Sequence, residues 1–96
     1  MPKVFIVNKS SHDFSDAARF GDLVFLSEGS FDPYSVGKMY REFEVILKHS
    51  SPEDYILPTG LSVMQIIVAA IFANMHHKLN LLLFSNGRYI ERRIVL

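Results

Sequence analysis

The residues best suited to chemistry begin with a polar segment near the amino terminus, Asn8 to Asp13. Lys9 can neutralise a phosphate, Ser10 can donate a hydrogen bond, and His12 can contact a base edge or transfer a proton. Function in α/β proteins concentrates in loops that follow buried strands. The segment therefore predicts a contact with a ligand, although a solvated loop that caps a short helix explains the same residues.

A second candidate is the loop from Pro58 to Ser62, which stands between an apolar run and a helical segment. Gly60 allows a close backbone approach, Thr59 and Ser62 supply hydroxyls, and the helix start offers unpaired N–H groups. The amino terminus of a helix carries positive potential, which suits a phosphate or another anion. The competing interpretation is that Thr59 or Ser62 only caps the helix and Gly60 only forms the turn.

Catalytic patterns are weaker than binding patterns. His12 with Asp13 or with Glu28 gives a phosphohydrolase hypothesis, but no further metal ligands accompany that pair in the sequence. The adjacent His76 and His77 diverge on a helix and do not chelate one ion. No P-loop, dinucleotide fingerprint or nucleophile elbow occurs, and the chain has no Cys for a thiolate site. We therefore predict binding rather than catalysis, with no metal and no cofactor.

Short apolar runs must supply the strands that position these loops. Each run is continuous rather than alternating, which is typical of strands buried on both faces of a sheet. The four runs are Val4–Val7, Leu23–Leu26, Tyr55–Leu57 and Leu81–Phe84. Because the carboxyl ends of parallel strands meet at one edge, the predicted ligand-binding residues should converge there. That set comprises Asn8, Lys9, Ser10, His12, Glu28, Thr59, Gly60 and Ser62.

Helical patterns separate the runs. Asp32 as N-cap and Pro33 at the first helical position begin an amphipathic stripe that continues through Leu47. A second helix, from about Leu61 to His77, has little polar face and must be covered on nearly all sides. The segment from Asp13 to Phe20 has room for two shorter helical turns.

The carboxyl-terminal segment is predicted to form a β-hairpin. Asn86-Gly87 supplies the positive φ angles of a type I′ turn, and the charged strand after it suits an exposed edge. Strands that alternate with helices predict a mainly parallel sheet with right-handed crossovers. The predicted fold is a small three-layer α/β domain, Rossmann-like or flavodoxin-like, with a C-terminal antiparallel β-hairpin.

Composition sets the remaining limits. Ninety-six residues allow one domain, residues 1–96, and ten basic against ten acidic residues argue against non-specific nucleic-acid binding. No secretory signal is predicted, and the longest apolar stretch, Leu61 to Met75, is shorter than the roughly 20 residues of a membrane span. We expect a cytoplasmic protein.

Two resemblances accompany these patterns. The segment Thr59-Gly60-Leu61-Ser62-Val63-Met64 resembles the ligand loop of CRISPR-associated Rossmann-fold (CARF) sensor domains, which bind cyclic oligonucleotides as homodimers. Leu61 and Val63 depart from that loop's usual glycine and lysine. The chain as a whole, above all Asn8 to Gly21, resembles small proteins encoded by tailed bacteriophages. That second resemblance implies a phage protein, located in the host cytoplasm, and brings no activity with it.

Two principal hypotheses follow. The first is a small domain that holds a phosphorylated or nucleotide-like molecule at the carboxyl edge of the sheet, for example a phage protein that sequesters a host nucleotide. The alternative is a non-enzymatic structural or interaction module that forms a homodimer through the helix from Leu61 to Met75, because exposed apolar surface marks interfaces.

Overall fold

The computed structural model describes residues 1–96 and contains five strands, two α-helices and one 3₁₀ helix. In chain order these are β1 (Lys3–Ile6), η1 (Ser15–Arg19, the 3₁₀ helix), β2 (Asp22–Phe25), α1 (Val36–Leu47), β3 (Tyr55–Leu57), α2 (Ser62–His76), β4 (Lys78–Ser85) and β5 (Arg88–Val95). The predicted alternation of strands and helices is confirmed.

The strands form one mixed sheet in the order β2-β1-β3-β4-β5. The pairs β1–β2, β1–β3 and β3–β4 are parallel, and β4 pairs with β5 as an antiparallel hairpin. Asn86 and Gly87 take φ angles of 51° and 81° at the hairpin turn. The mainly parallel sheet and its C-terminal hairpin are therefore confirmed, and β5 forms an edge as expected.

Each face of the sheet has its own hydrophobic cluster. Phe5 and Ile56 point to the face where α1 and α2 pack, together with buried Phe43 and Phe72. Side chains that alternate with these, such as Leu57, point to the opposite face, where η1 packs. Two helices thus cover one face, and only a single 3₁₀ helix covers part of the other.

The prediction that all four runs are buried on both faces is wrong for β2 and for the end of β4. Strand β2 lies at the sheet edge and is half-buried at Leu23 and Val24, because it has a neighbour on one side only. In β4 the last apolar residues are also exposed, with Leu83 and Phe84 at 42% and 62%.

Helix α1 begins at Val36, three residues after the predicted first position at Pro33. The Asp32 carboxylate accepts the Tyr34 N–H at 3.0 Å and the Ser35 hydroxyl at 3.1 Å. The backbone N–H of Ser35 donates to the Asp32 carbonyl and closes a turn. Asp32 therefore stabilises a turn in front of the helix instead of capping the helix itself.

Neither Thr59 nor Ser62 caps α2. Its N-cap is Leu61, which makes no side-chain capping bond, and His77 follows the helix as C-cap in the left-handed region with φ of 57°. Strand β4 follows at once and begins at Lys78, three residues before the predicted Leu81. None of the helices is both long enough and apolar enough to cross a membrane.

Candidate functional site

The loops after β1 and β3 meet at the carboxyl edge of the sheet, where the chain leaves two neighbouring parallel strands. Thr59 joins them, because its Oγ1 accepts the Asn8 N–H at 3.0 Å and donates to the Asn8 carbonyl at 2.8 Å. Both capacities of this hydroxyl are thus used by the fold. Thr59 positions the Asn8 backbone and has no free hydrogen for a ligand in this arrangement.

The Asn8 side chain extends the connection to the loop after β2. Its Nδ2 donates to Ser27 Oγ at 3.0 Å and to the Gly29 carbonyl at 3.2 Å. Its Oδ1 accepts no hydrogen bond, although the residue is 8% exposed. No partnerless polar side-chain atom is fully enclosed, so this oxygen faces open space. Asn8 is therefore a largely buried residue that presents one accessible acceptor, which the protein leaves unused.

Gly60 fits the close contact between these loops. Its φ is +84°, and a Cβ on it would lie 2.7 Å from the Asn8 Cβ and 3.2 Å from the Met64 sulfur. A side chain at this position would have both an unfavourable backbone conformation and a steric clash. A glycine is therefore required at position 60 for the loop conformation that leads into α2.

The start of α2 opens onto a cavity of about 290 Å³, which we call the glycine cavity. It is lined by Asn8, Gly29, Ser30, Phe31, Gly60, Leu61 and Met64. The first intrahelical bond of α2 is from Gln65 to Leu61, at 3.2 Å. The N–H groups of the three residues before Gln65 have no protein acceptor. This end of the helix therefore supplies free donors beside the free Asn8 oxygen.

A second cavity, of about 310 Å³, lies on the η1 side of the same edge, and we call it the aromatic cavity. It is lined by His12, Asp13, Phe14, Leu57, Pro58, Thr59, Leu82, Leu83, Phe84 and Tyr89. The loop Pro58–Leu61 stands between the two cavities, because its first half lines one and its second half the other.

The structure distributes the predicted ligand-binding residues unevenly. Asn8 and Gly60 line the glycine cavity, whereas His12 and Thr59 line the aromatic cavity. The remaining four residues line neither of these cavities. They are Lys9, Ser10, Glu28 and Ser62.

Three of these four residues, Lys9, Ser10 and Glu28, make contacts within the protein. Lys9 Nζ lies 5.4 Å from the centre of the Phe25 ring, and its backbone pairs with that of Glu28. Ser10 Oγ accepts the His12 N–H at 3.3 Å. Lys38 lies near one wall of the glycine cavity, with Nζ 5.9 Å from the centre of the Phe31 ring.

Charge around the aromatic cavity comes from two aspartates. The pKa of Asp13 is lowered by its hydrogen bonds with Ser15, including one from the backbone N–H at 2.9 Å. The pKa of Asp16 is lowered first by the Tyr89 N–H and then by Arg19 and Arg88. Burial raises the pKa of Tyr89, and the two carboxylates raise it further. At neutral pH the aspartates are charged and the phenol keeps its proton.

The chain matches the family described as phage Pam3 gp32-like protein over residues 2–95. It belongs to this family. The expectation of a phage protein is confirmed by that match. Comparison with curated proteins and comparison with solved structures found no match. The local resemblance to the CARF ligand loop stays a prediction.

Sequence reasoning missed most of the aromatic cavity of this phage family member. Phe84 and Tyr89 belong to the hairpin, which was interpreted only as an exposed edge, and Phe14 only as packing for a short helix. One signal was present, because Phe84 and Tyr89 flank the Asn86-Gly87 turn and must oppose each other in a two-residue hairpin.

Proposed function

We propose that this phage family member is a binding domain that holds a phosphorylated, nucleotide-like molecule at the carboxyl edge of its sheet. The observation that carries the proposal is the glycine cavity, where an unused side-chain acceptor belongs to the lining and free backbone donors belong to the helix that begins at its edge. The donors are the N–H groups at the start of α2, and the acceptor is Asn8 Oδ1.

The donors suit a phosphate group. They belong to a helix of 15 residues whose dipole places positive potential at this end, and no side chain neutralises it. Phosphate oxygens accept several N–H groups at once. Asn8 Oδ1 can only accept, so it is suited to a hydroxyl of the sugar rather than to the phosphate.

A Rossmann-like, three-layer interpretation of the fold is part of this proposal, and the strand order supports its Rossmann-like part. The order β2-β1-β3-β4-β5 is that of flavodoxin-like sheets, with the difference that β5 is antiparallel. In such sheets ligands bind beside the strands where the order reverses, here β1 and β3. Asn8 and Gly60 follow those two strands.

The phage family suggests how such a site would be used. A phage protein that acts in the host cytoplasm meets host nucleotides, and a small domain without a catalytic constellation can remove one from circulation by binding it. Sequestration of a host nucleotide is therefore the use that we propose.

Inorganic pyrophosphate tests the phosphate subsite directly. We expect it to shift the backbone amide resonances of Val63 and Met64 in the ¹⁵N-labelled protein. Leu61→Asp should abolish this shift, because an N-cap carboxylate occupies the same donors and repels the anion. The variant should unfold at the same or a higher temperature, since Asp is a better N-cap than Leu.

Val45→Asp is the matched control, because it adds the same charge at an exposed position of α1 that lines neither cavity. It should keep the pyrophosphate response. No movement of the Val63 and Met64 resonances at millimolar pyrophosphate would contradict the proposed function.

A homodimer remains the second candidate, favoured by a groove of about 840 Å³ between α1 and α2. Val36, Tyr40 and Ile66 at this groove are 51%, 50% and 67% exposed. Glu44 and Lys48 also line it. In a two-fold dimer each acidic residue can meet the partner's basic residue, so the groove is self-complementary in charge.

A further inference from the structure

We infer that the aromatic cavity is a binding site for a planar nitrogen heterocycle of nucleobase size. The inference deepens the proposed function, because the heterocycle would be the base of the same nucleotide-like ligand. The site itself is defined by residues that the phosphate subsite does not use.

The Tyr89 hydroxyl is the polar group that points to a ligand. Tyr89 is 4% exposed, and its backbone N–H and carbonyl are both bonded, to Asp16 and Arg19. Its hydroxyl makes no hydrogen bond in the protein, yet it is not fully enclosed. Because the residue is buried everywhere else, the open space in front of the hydroxyl is the cavity it lines. A buried phenol without a partner is uncommon and can donate to a ligand acceptor.

The aromatic side chains that line the cavity favour a planar ring as the ligand. The Phe84 and Tyr89 rings meet edge to face with centres 5.1 Å apart, and His12 and Phe14 make a similar contact at 6.4 Å. Such walls offer π faces and edges to an aromatic guest. A volume of about 310 Å³ lies at the lower end for small-molecule sites, which fits a base or a nucleoside and not a large cofactor.

Asp13 favours a ligand that carries hydrogen-bond donors. Its carboxylate is charged at neutral pH, since the Ser15 bonds lower its pKa, and it lines the same cavity. It can accept an N–H from an amino group or ring nitrogen and repels a phosphate. The heterocycle therefore enters this cavity, and the phosphate end lies across the Pro58–Leu61 loop at the start of α2.

Nucleosides test this site because they carry a base and no phosphate. We expect adenosine, guanosine, cytidine or uridine to shift the amide resonances of Leu82, Phe84 and Tyr89. Inorganic pyrophosphate should leave these resonances in place and move those of α2. The two probes therefore report separately on the inferred base site and on the proposed phosphate site.

Tyr89→Phe removes only the hydroxyl. It should weaken binding of the responding nucleoside by about 2- to 10-fold, the loss of one hydrogen bond, without lowering stability, because no protein bond is removed. Asp13→Asn, at an exposed position, should weaken nucleoside binding too and leave pyrophosphate binding unchanged. Tyr34→Phe is the control, since that tyrosine is 88% exposed and outside the cavity.

The outcomes separate the two claims. Nucleoside shifts that Tyr89→Phe weakens support the base site even when pyrophosphate has no effect. Pyrophosphate shifts without any nucleoside response at millimolar concentration overturn the base site and leave the proposed phosphate site standing. Nucleoside binding that is equal in wild type and Tyr89→Phe also overturns it.

Discussion

At the scale of single residues, hydrogen bonds of Asn80 connect the segment before β3 to the hairpin. Asn80 is fully buried, and its Nδ2 donates to the carbonyls of Pro52 and Asp54 at 2.7 and 2.9 Å. Its Oδ1 accepts Arg93 Nε at 2.9 Å. Because all its hydrogen-bonding groups except one lone pair are used, this asparagine orients the loop before β3 and the edge strand together.

Replacement of Asn80 should be costly. Asn80→Ala removes the donor from the buried contact with the Asp54 carbonyl and from the part-buried contact with the Pro52 carbonyl, so we expect the free energy of unfolding to fall by about 1–3 kcal/mol. Chemical denaturation measures the change. Asn74→Ala, an exposed asparagine of α2, should change stability by no more than about 0.5 kcal/mol. Equal effects of the two substitutions would contradict the structural role of Asn80.

Asp16 gives the molecule an acid-sensitive contact. Its Oδ2 accepts the Tyr89 N–H at 2.8 Å, and its pKa is lowered by that bond. A lowered folded-state pKa contributes stability above the ordinary carboxyl value of 3.8, and this contribution is lost as the pH falls through the folded-state value. Asp13 acts in the same direction.

Asp16→Asn should therefore reduce the acid dependence of stability. The amide oxygen can still accept the Tyr89 N–H, so the geometry is kept while the titrating group is removed. Unfolding temperatures measured from pH 6 down to pH 2 should fall less steeply for this variant than for the wild type. Asp22→Asn, whose carboxylate makes no hydrogen bond, should keep the wild-type slope; a steeper slope for Asp16→Asn would refute the assignment.

At the element scale, the junction of β3 and α2 depends on Gly60. Gly60→Ala adds backbone strain at φ +84° and a Cβ that lies 2.7 Å from Asn8. Gly29→Ala adds strain at φ +83° with no atom within 4 Å. We expect Gly29→Ala to cost about 1–2 kcal/mol and Gly60→Ala clearly more, because only the second has a steric term.

The same two glycine variants distinguish an effect on stability from an effect on pyrophosphate binding. Chemical denaturation should rank the two glycine variants as stated, and pyrophosphate titration should show lost binding for Gly60→Ala. Gly29→Ala retains the contact between Asn8 and the start of α2, so its pyrophosphate response should persist. Equal destabilisation by both substitutions would show that the close contact at Gly60 is unimportant.

At the scale of the whole molecule, the apolar groove between α1 and α2 predicts self-association. Ile66→Lys places a charge at the most exposed apolar position of the groove and should convert a dimer to a monomer. Val45→Lys, 56% exposed but outside the groove, should leave the dimer intact. Sedimentation of both variants and the wild type measures this. A wild type that stays monomeric at high concentration would refute the homodimer.

Local sequence determined the elements and much of the topology. Continuous apolar runs predicted the strands, the alternation with helices predicted parallel pairing, and Asn86-Gly87 predicted the hairpin, because each pattern depends on neighbours only a few residues apart. The start of α1 was predicted wrongly because the Asp32 carboxylate can serve either a helix cap or a turn. In the structure it accepts the Tyr34 N–H and the Ser35 hydroxyl and so stabilises the turn.

Tertiary structure alone decided what the loop residues do. Thr59 and Asn8 are 51 positions apart, and only the parallel register of β1 and β3 brings their atoms into contact. The start of α2 has no side-chain cap, and Tyr89 of the hairpin lines the same cavity as Asp13. The sequence shows which side chains are able to bind a ligand. The pairing of distant strands determines which of them remain free, because a group that the fold has already hydrogen-bonded is no longer available to a ligand.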